Sequence, residues 1–389
     1  MARRYFGTDG VRGVVGNDLT EDLVARLGRA FATWRPGSIL IGRDTRASGV
    51  ALERALTGGL VAAGADAISG GILPTPAVAL LAEQHAAVIS ASHNPPEYNG
   101  VKFFTDAGRK LTDAEEEEIE SLLDGAVSDR LTASEGVDLA DRYVSFVCER
   151  FGGPLEGLRV ALDCANGAMF EVAPAAFGRL GANVVNIGNA PDGTNINVGC
   201  GATDLRVLRQ TVTSADADLG VAFDGDGDRM LAVDAAGNEL DGDQILAILA
   251  LHLGVDLVAV TQMTNLGFHR LMAEEGIRVV TTDVGDRYVL EALRREGGVL
   301  GGEQSGHVVY LNGHTTGDGL VAAILLCRAV VERGKTLAEL AATLGDSARI
   351  LVRPSGTEPL VRILVEAETP AKADKLCGTI LSLVVRELG

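Results

Sequence analysis

Short apolar runs recur along the chain, each closed by a polar, glycine-containing stretch and followed by residues at helical spacing. Three stretches share this rhythm: SILIGRDTRASG (38–49), LRVALDCANGAMF (158–170) and VDLVAVTQMTNLGF (255–268). Each opens a long block that alternates strand-like and helix-like patterns, the signature of open, mainly parallel sheets. The pattern predicts three related α/β units, with Gly152-Gly153-Pro154 and Leu253-Gly254 as the breaks between them. The last stretch differs. SARILVRPSGTEPLVRILVEAE (347–368) reads as two strands around a loop, and an amphipathic helical pattern follows. The predicted domains are therefore 1–152, 153–253, 254–344 and a small α+β unit at 345–389. At 389 residues the chain is too long for a single core. The run DAEEEEIESLLDG (113–125) predicts a solvated surface helix without a role in chemistry.

Charge narrows the function. With 53 acidic against 34 basic residues the net charge is −19, which disfavours nucleic acid and anionic membranes as partners. Arginines nevertheless recur inside the glycine-rich loops, which suits a small bound anion. Five widely spaced cysteines, without any CxxC, argue against a disulfide framework and for a reducing cytoplasm. The start MARRYFGTDG lacks the apolar segment of an export signal, and no run is long enough to span a membrane.

The densest chemistry lies in GVAFDGDGDRMLAVD (220–234). Asp224, Asp226 and Asp228 alternate with glycines after an apolar run, and in near-extended backbone they would face one side. Three converging carboxylates call for a cation, and all-oxygen ligation suits Mg²⁺. An EF-hand is excluded, because its sixth position is Arg229 and its twelfth Ala235. A plain turn remains the alternative, since Asp-Gly repeats favour turns. In ISASHNPPEYNGVKFF (89–104), Ser92 stands at the mouth of a strand among His93, Asn94, two prolines and Lys102, as a polar loop or as a nucleophile on a stiff one. Arg353 and Arg362 flank Ser355, Gly356 and Thr357, an arrangement of guanidinium forks, hydroxyls and amides that suits phosphate. Glu303, Ser305 and His307 alternate between glycines in a loop able to read sugar hydroxyls. RGKT (333–336) lacks the first glycine of a phosphate-binding loop, no G-x-G-x-x-G follows a strand, and Ser92 is not within G-x-S-x-G.

Taken in order, ISASHNP, DGDGDR, GGEQSGH and RPSGTEP resemble the α-D-phosphohexomutase superfamily over almost the whole chain. FGTDGVRG, TDVGDRYV (282–289) and Gln304 are most similar to its bacterial phosphoglucosamine mutases. The resemblance implies four domains around a central cleft and an isomerase that interconverts glucosamine 6- and 1-phosphates for cell-wall amino-sugar synthesis. It implies a phosphorylated Ser92, one Mg²⁺ held by Ser92, Asp224, Asp226 and Asp228, and a sugar 1,6-bisphosphate as primer. Arg12, His93, Lys102 and Arg229 would offset the phosphate's charge. Lys102, its pKa depressed by burial and neighbouring cations, would take the sugar's proton, with His307 serving the opposite half-reaction. Glu303 and Ser305 would grip sugar hydroxyls, with Arg287 nearby, while Arg353, Ser355, Gly356, Thr357 and Arg362 hold the substrate's own phosphate. A homodimer is a further implication. The final domain is shortened, because KTLAELAATLGDSARILVRPSGTEP joins it almost directly to the third. A phosphomannomutase/phosphoglucomutase of the same fold, or a catalytically silent sugar-phosphate-binding protein, are the alternatives.

Overall fold

The computed structural model describes residues 4–7, 9–124, 135–342, 349–354, 361–366 and 369–388. Each of the three segments singled out by its rhythm supplies the first strand of a repeated four-strand unit: Ser38–Arg43, Arg159–Asp163 and Leu257–Thr261. In each sheet the next strand in sequence pairs parallel on one side of it (Asp66–Ile72, Asn183–Ile187, Arg278–Thr282). The third pairs parallel on the other side (His85–Ile89, Leu219–Phe223, Leu300–Gly302). A fourth then returns antiparallel to the third (Tyr98–Thr105, Met230–Asp234, Val308–Tyr310). The order 2-1-3-4 is thus repeated three times. The first sheet is extended by Val11–Val14, Arg109–Lys110 and Glu135–Gly136, and the second by Glu239–Leu240. Arg349–Pro354 and Val361–Glu366 form a separate antiparallel hairpin, followed by the helix Pro370–Leu388.

Strand side chains alternate between faces, and here the alternation sorts the core. Ile39, Ile41, Ala87 and Ile89 join an apolar cluster private to the first repeat, whereas Leu40, Ala86 and Val88 point the other way. The second repeat divides likewise, with Ala161 and Ala222 in one cluster and Val160, Leu162 and Val221 in another. So does the third, with Leu257 and Ala259 against Val258 and Val260. The inward-facing sets merge into one continuous cluster that runs through all three repeats. The expectation that length forces separate cores is therefore only half met: each repeat has an outer cluster of its own and shares the inner one. This shared packing fixes the repeats against one another.

The repetition has a chemical consequence. In every repeat a short loop joins the third strand to the antiparallel fourth, and these loops are residues 90–97, 224–229 and 303–307. They contain Ser92, the three aspartates, and Glu303 with His307. Three equivalent corners of three sheets bring the polar groups together. No helix among the described residues is long and apolar enough to cross a membrane.

Candidate active site

The strand His85–Ile89 is buried along its length and delivers the chain to Ser92, which is 1% exposed. Ser92 has φ +53°, a left-handed conformation that side chains other than glycine rarely adopt. Its Oγ donates to Asp224 Oδ2 at 2.5 Å and lies 3.3 Å from His93 Nδ1. Its amide donates to Ser90 Oγ at 2.8 Å. Residues 90–97 and 224–229 are in direct contact.

Asp224, Asp226 and Asp228 are buried, and one oxygen from each lies within 4.8 Å of the others. Their convergence does not come from extended backbone, as the alternation suggested. The segment turns: Gly227 N donates to Asp224 O at 3.1 Å, and Asp224 N to Arg229 O at 3.4 Å. Two glycines permit this. Gly227 has φ +74°, and a Cβ on Gly225 would come within 2.6 Å of the Ser92 carbonyl oxygen. Burial, then the nearby Asp226 and Asp228 carboxylates, hold the Asp224 carboxyl well above its usual range. Burial also works against a charged Asp228, but Lys102, His307 and Arg229 outweigh it and keep that carboxyl well below the usual range. Asp226 Oδ1 and Asp228 Oδ1 are buried and accept no hydrogen bond. Buried carboxylate oxygens that accept no hydrogen bond, next to a serine hydroxyl, fit a hard divalent cation.

Cations surround this group. Lys102 Nζ lies 2.8 Å from Asp226, 2.9 Å from Asp9 and 3.5 Å from Asp228. Burial alone would lower its pKa, but Asp226, Asp9 and Asp228 drive it upward. The depression expected of Lys102 is thus reversed, because its neighbours are mainly carboxylates. Arg12 pairs with Asp9, and its Nε has no partner. The Arg229 backbone donates to Asp224 Oδ1 at 3.2 Å, and the side-chain Nε makes no hydrogen bond but lies 3.9 Å from Asp228 Oδ1. His93 is pushed down to about 4 by burial and then by Arg229 and Arg12, so its ring is neutral near pH 7 and adds no positive charge to this arrangement.

The third loop closes the site from another side. His307 is buried with Nδ1 3.7 Å from Asp228 and Nε2 3.3 Å from Asp286. Burial lowers its pKa, but Asp286 and Asp228 prevail and raise it. Glu303 accepts from Gly285 N at 3.1 Å, and burial raises its carboxyl. Ser305 is exposed on the same turn. Arg287 is placed differently from the others: it binds Asp113 and, at 2.8 Å, Glu116, tying the third repeat to the first. Asp113, Ala114, Glu117, Glu118 and Ser121 are exposed, as expected of a solvated helix, but Glu116 is 2% exposed and Ile119 is buried, so one face of the helix Asp113–Ser121 docks.

Arg353 and Arg362 are Cα partners across the terminal hairpin. Ser355, Gly356 and Thr357 lie outside the described residues. Sequence reasoning missed Asp9, Lys110 and Asp286, which form a largely covered chain of charges: Lys110 binds Asp9 at 3.0 Å and also Asp286. The available signal was position, since Asp9 lies in FGTDGVRG and Asp286 in TDVGDRYV.

Family models for the phosphoglucomutase/phosphomannomutase α/β/α domains I, II and III match residues 3–129, 141–237 and 241–346, and the model for the C-terminal domain matches 320–383. A phosphoglucosamine mutase of Pelotomaculum thermopropionicum is 46% identical over 437 aligned positions, covering 97% of this chain and 98% of the relative. One from Saccharopolyspora erythraea is also 46% identical, covering 98% and 99%. The first of these alignments is longer than the 389-residue chain, so the relative carries segments that this chain lacks. A crystal structure of a phosphoglucomutase/phosphomannomutase family protein from Burkholderia thailandensis superposes with TM-score 0.86 at 24% identity, covering 98% of both chains. The Aspergillus fumigatus N-acetylphosphoglucosamine mutase, solved with GlcNAc-6P and magnesium, shares the fold at TM-score 0.68 and 16% identity, covering 98% and 95%. With all four domain models matched and full-length relatives at this identity, the chain belongs to the phosphoglucomutase/phosphomannomutase family.

Proposed function

We infer that the protein is an isomerase that interconverts glucosamine 6-phosphate and glucosamine 1-phosphate in the cytoplasm, with Ser92 as phosphoryl carrier. The observation that carries this reading is the 2.5 Å contact between Ser92 Oγ and Asp224, within a carboxylate trio that retains oxygens free of hydrogen bonds. Asp224, Asp226 and Asp228, with the Ser92 oxygen, would hold Mg²⁺, which would supply charge neutralisation at the transferring phosphoryl group.

In the forward half-reaction the bond from phosphorus to Ser92 Oγ breaks as one forms to the sugar hydroxyl oxygen. The hydroxyl proton ends on the serine, and a sugar 1,6-bisphosphate results. After the bisphosphate turns end for end, the same exchange in reverse restores phosphoserine and releases the isomer. Free enzyme takes its first phosphate from a sugar 1,6-bisphosphate. Phosphoryl transfer asks mainly for positioning and charge balance, and Arg12, Lys102 and Arg229 provide cations around Ser92. Glu303 and Ser305 are assigned to the sugar hydroxyls, His307 to the reacting end, and Arg353, Ser355, Gly356, Thr357 and Arg362 to the distal phosphate. Arg287 acts here through the contact between the first and third repeats.

The test is kcat/KM for the 6-phosphates of glucosamine, mannose and glucose after priming with glucose 1,6-bisphosphate. Glucosamine 6-phosphate should lead. An equal or higher value for the mannose compound would replace this reading with a phosphomannomutase.

A further inference from the structure

We propose that Arg46 and Asn197 are positioning residues for phosphoryl transfer. From two different repeats they hold the carbonyls of the 92–94 turn and so aim Ser92 Oγ at the aspartates. The proposal rests on the reading of Ser92 as phosphoryl carrier.

Arg46 is 1% exposed, and its guanidinium is used almost completely. Nε donates to Asp44 Oδ2 at 3.0 Å, and one terminal nitrogen to Pro95 O at 2.7 Å. The other terminal nitrogen donates to Ser92 O at 3.0 Å and Asn94 O at 2.8 Å. Asp44 in turn accepts from Ser90 Oγ at 2.6 Å, and that hydroxyl accepts from Ser92 N at 2.8 Å. Both backbone polar groups of Ser92 therefore lead back to one buried ion pair.

Asn197 repeats the grip from the second repeat. Its Nδ2 donates to Ser92 O at 2.9 Å and to Asn94 O at 3.1 Å. Its own amide is tied to Ala165 O at 2.9 Å, in the same sheet unit that carries Asp224. The Ser92 carbonyl is thus a point shared by the serine loop, the buried arginine and the unit that bears the aspartates.

Such a clamp is needed because Ser92 is held at φ +53°, where relaxation of the turn would swing Oγ away from Asp224. A displacement of about 1 Å in a reacting group can cost about 100-fold in rate. Lysine cannot replace the clamp, since only a planar fork reaches a carboxylate and three carbonyls at once. The bonds formed by Arg46 and Asn197 go to the protein's own backbone and to Asp44, so their loss should act on turnover and spare substrate affinity.

The experiment uses full-length, Mg²⁺-supplied protein. It compares wild type with Asn197→Gly, Asn197→Asp and Arg46→Lys. Asn197 has φ +60°, so glycine and aspartate suit its backbone while removing the donor. Two quantities are read: the rate at which glucose 1,6-bisphosphate phosphorylates Ser92, by intact mass, and steady-state kcat and KM. Both Asn197 variants should slow phosphorylation about 10-fold or more with KM within about 3-fold of wild type, and Arg46→Lys should lose about 100-fold. Wild-type phosphorylation rates in both Asn197 variants, or a loss confined to KM, would overturn the proposal even if Arg46→Lys does not fold. A wild-type protein that never acquires phosphate at Ser92 would instead overturn the carrier reading beneath it.

Discussion

Ser92 Oγ and Asp224 Oδ2 meet at 2.5 Å although the two residues are 132 positions apart in the chain. The contact joins the same corner of two repeated sheets. If Ser92 carries the phosphoryl group, Ser92→Ala should abolish labelling by a sugar bisphosphate. It should also lower kcat by at least about three orders of magnitude, as loss of a covalent nucleophile does. Alanine tolerates the positive φ no better than serine, so stability should fall only by the lost hydrogen bond to Asp224, about 1–3 kcal/mol. Undiminished turnover in this variant would remove the central step of the mechanism.

Lys102 is the counter-charge for three carboxylates, Asp226, Asp9 and Asp228. Replacing it with methionine keeps much of the volume and leaves the acids uncompensated. Removing one partner of a buried ionic group typically costs about 3–5 kcal/mol. Lys102→Met should therefore unfold at a lower denaturant midpoint, and Lys102→Arg should recover part of the loss. A methionine variant as stable as wild type would mean that the carboxylates are neutral in the folded protein.

Buried oxygens on Asp226 and Asp228 that accept no hydrogen bond predict that a divalent ion stabilises the fold as well as the chemistry. At a Mg²⁺ concentration 100-fold above Kd, linkage adds about 2.7 kcal/mol. Thermal unfolding should shift upward with Mg²⁺ in wild type and much less in Asp226→Asn, and excess chelator should stop turnover. A Tm indifferent to Mg²⁺, or activity that survives chelation, would count against the site.

What could be read from the sequence was the local part. The apolar-then-glycine rhythm named the strand that opens each of the three repeated units, though not Val11–Val14 before the first, and the aspartate and serine loops stood out by composition alone. What could not be read was which distant groups meet. The charge environment of Lys102 depends on Asp226, 124 positions away. That of His93 depends on Arg12 and Arg229. A run such as EEEE looks solvated until one knows which of its carboxylates turns inward.

Glu116 is that carboxylate. Its partner Arg287, 171 positions away, is largely buried and binds Asp113 as well. Glu116→Gln and Arg287→Met should each destabilise the protein, and the double variant should lose less than the sum. Contacting pairs of this kind show coupling of about 0.5–3 kcal/mol. Additive losses would mean that the pair does not hold the first and third repeats together.

The same helix contains a group that should report on acid stability. Arg109 holds Glu115 through two hydrogen bonds, of 2.9 and 2.7 Å, and the Thr112 amide adds a third at 2.8 Å. The Arg109 bonds come first, Thr112 next, and together they overcome burial and depress the carboxyl from 4.5 to about 2. A carboxyl whose folded pKa lies below its unfolded value stabilises the fold fully above the unfolded value. That contribution fades as pH falls from about 4.5 towards 2. Glutamine can still complete the capping box with Thr112, but it neither titrates nor forms the ion pair with Arg109. Denaturant midpoints measured from pH 6 down to pH 2 should therefore fall less steeply in Glu115→Gln than in wild type below pH 4.5. Parallel curves would show that the carboxyl titrates alike in the folded and unfolded chains, and so that Arg109 does not hold it in the fold.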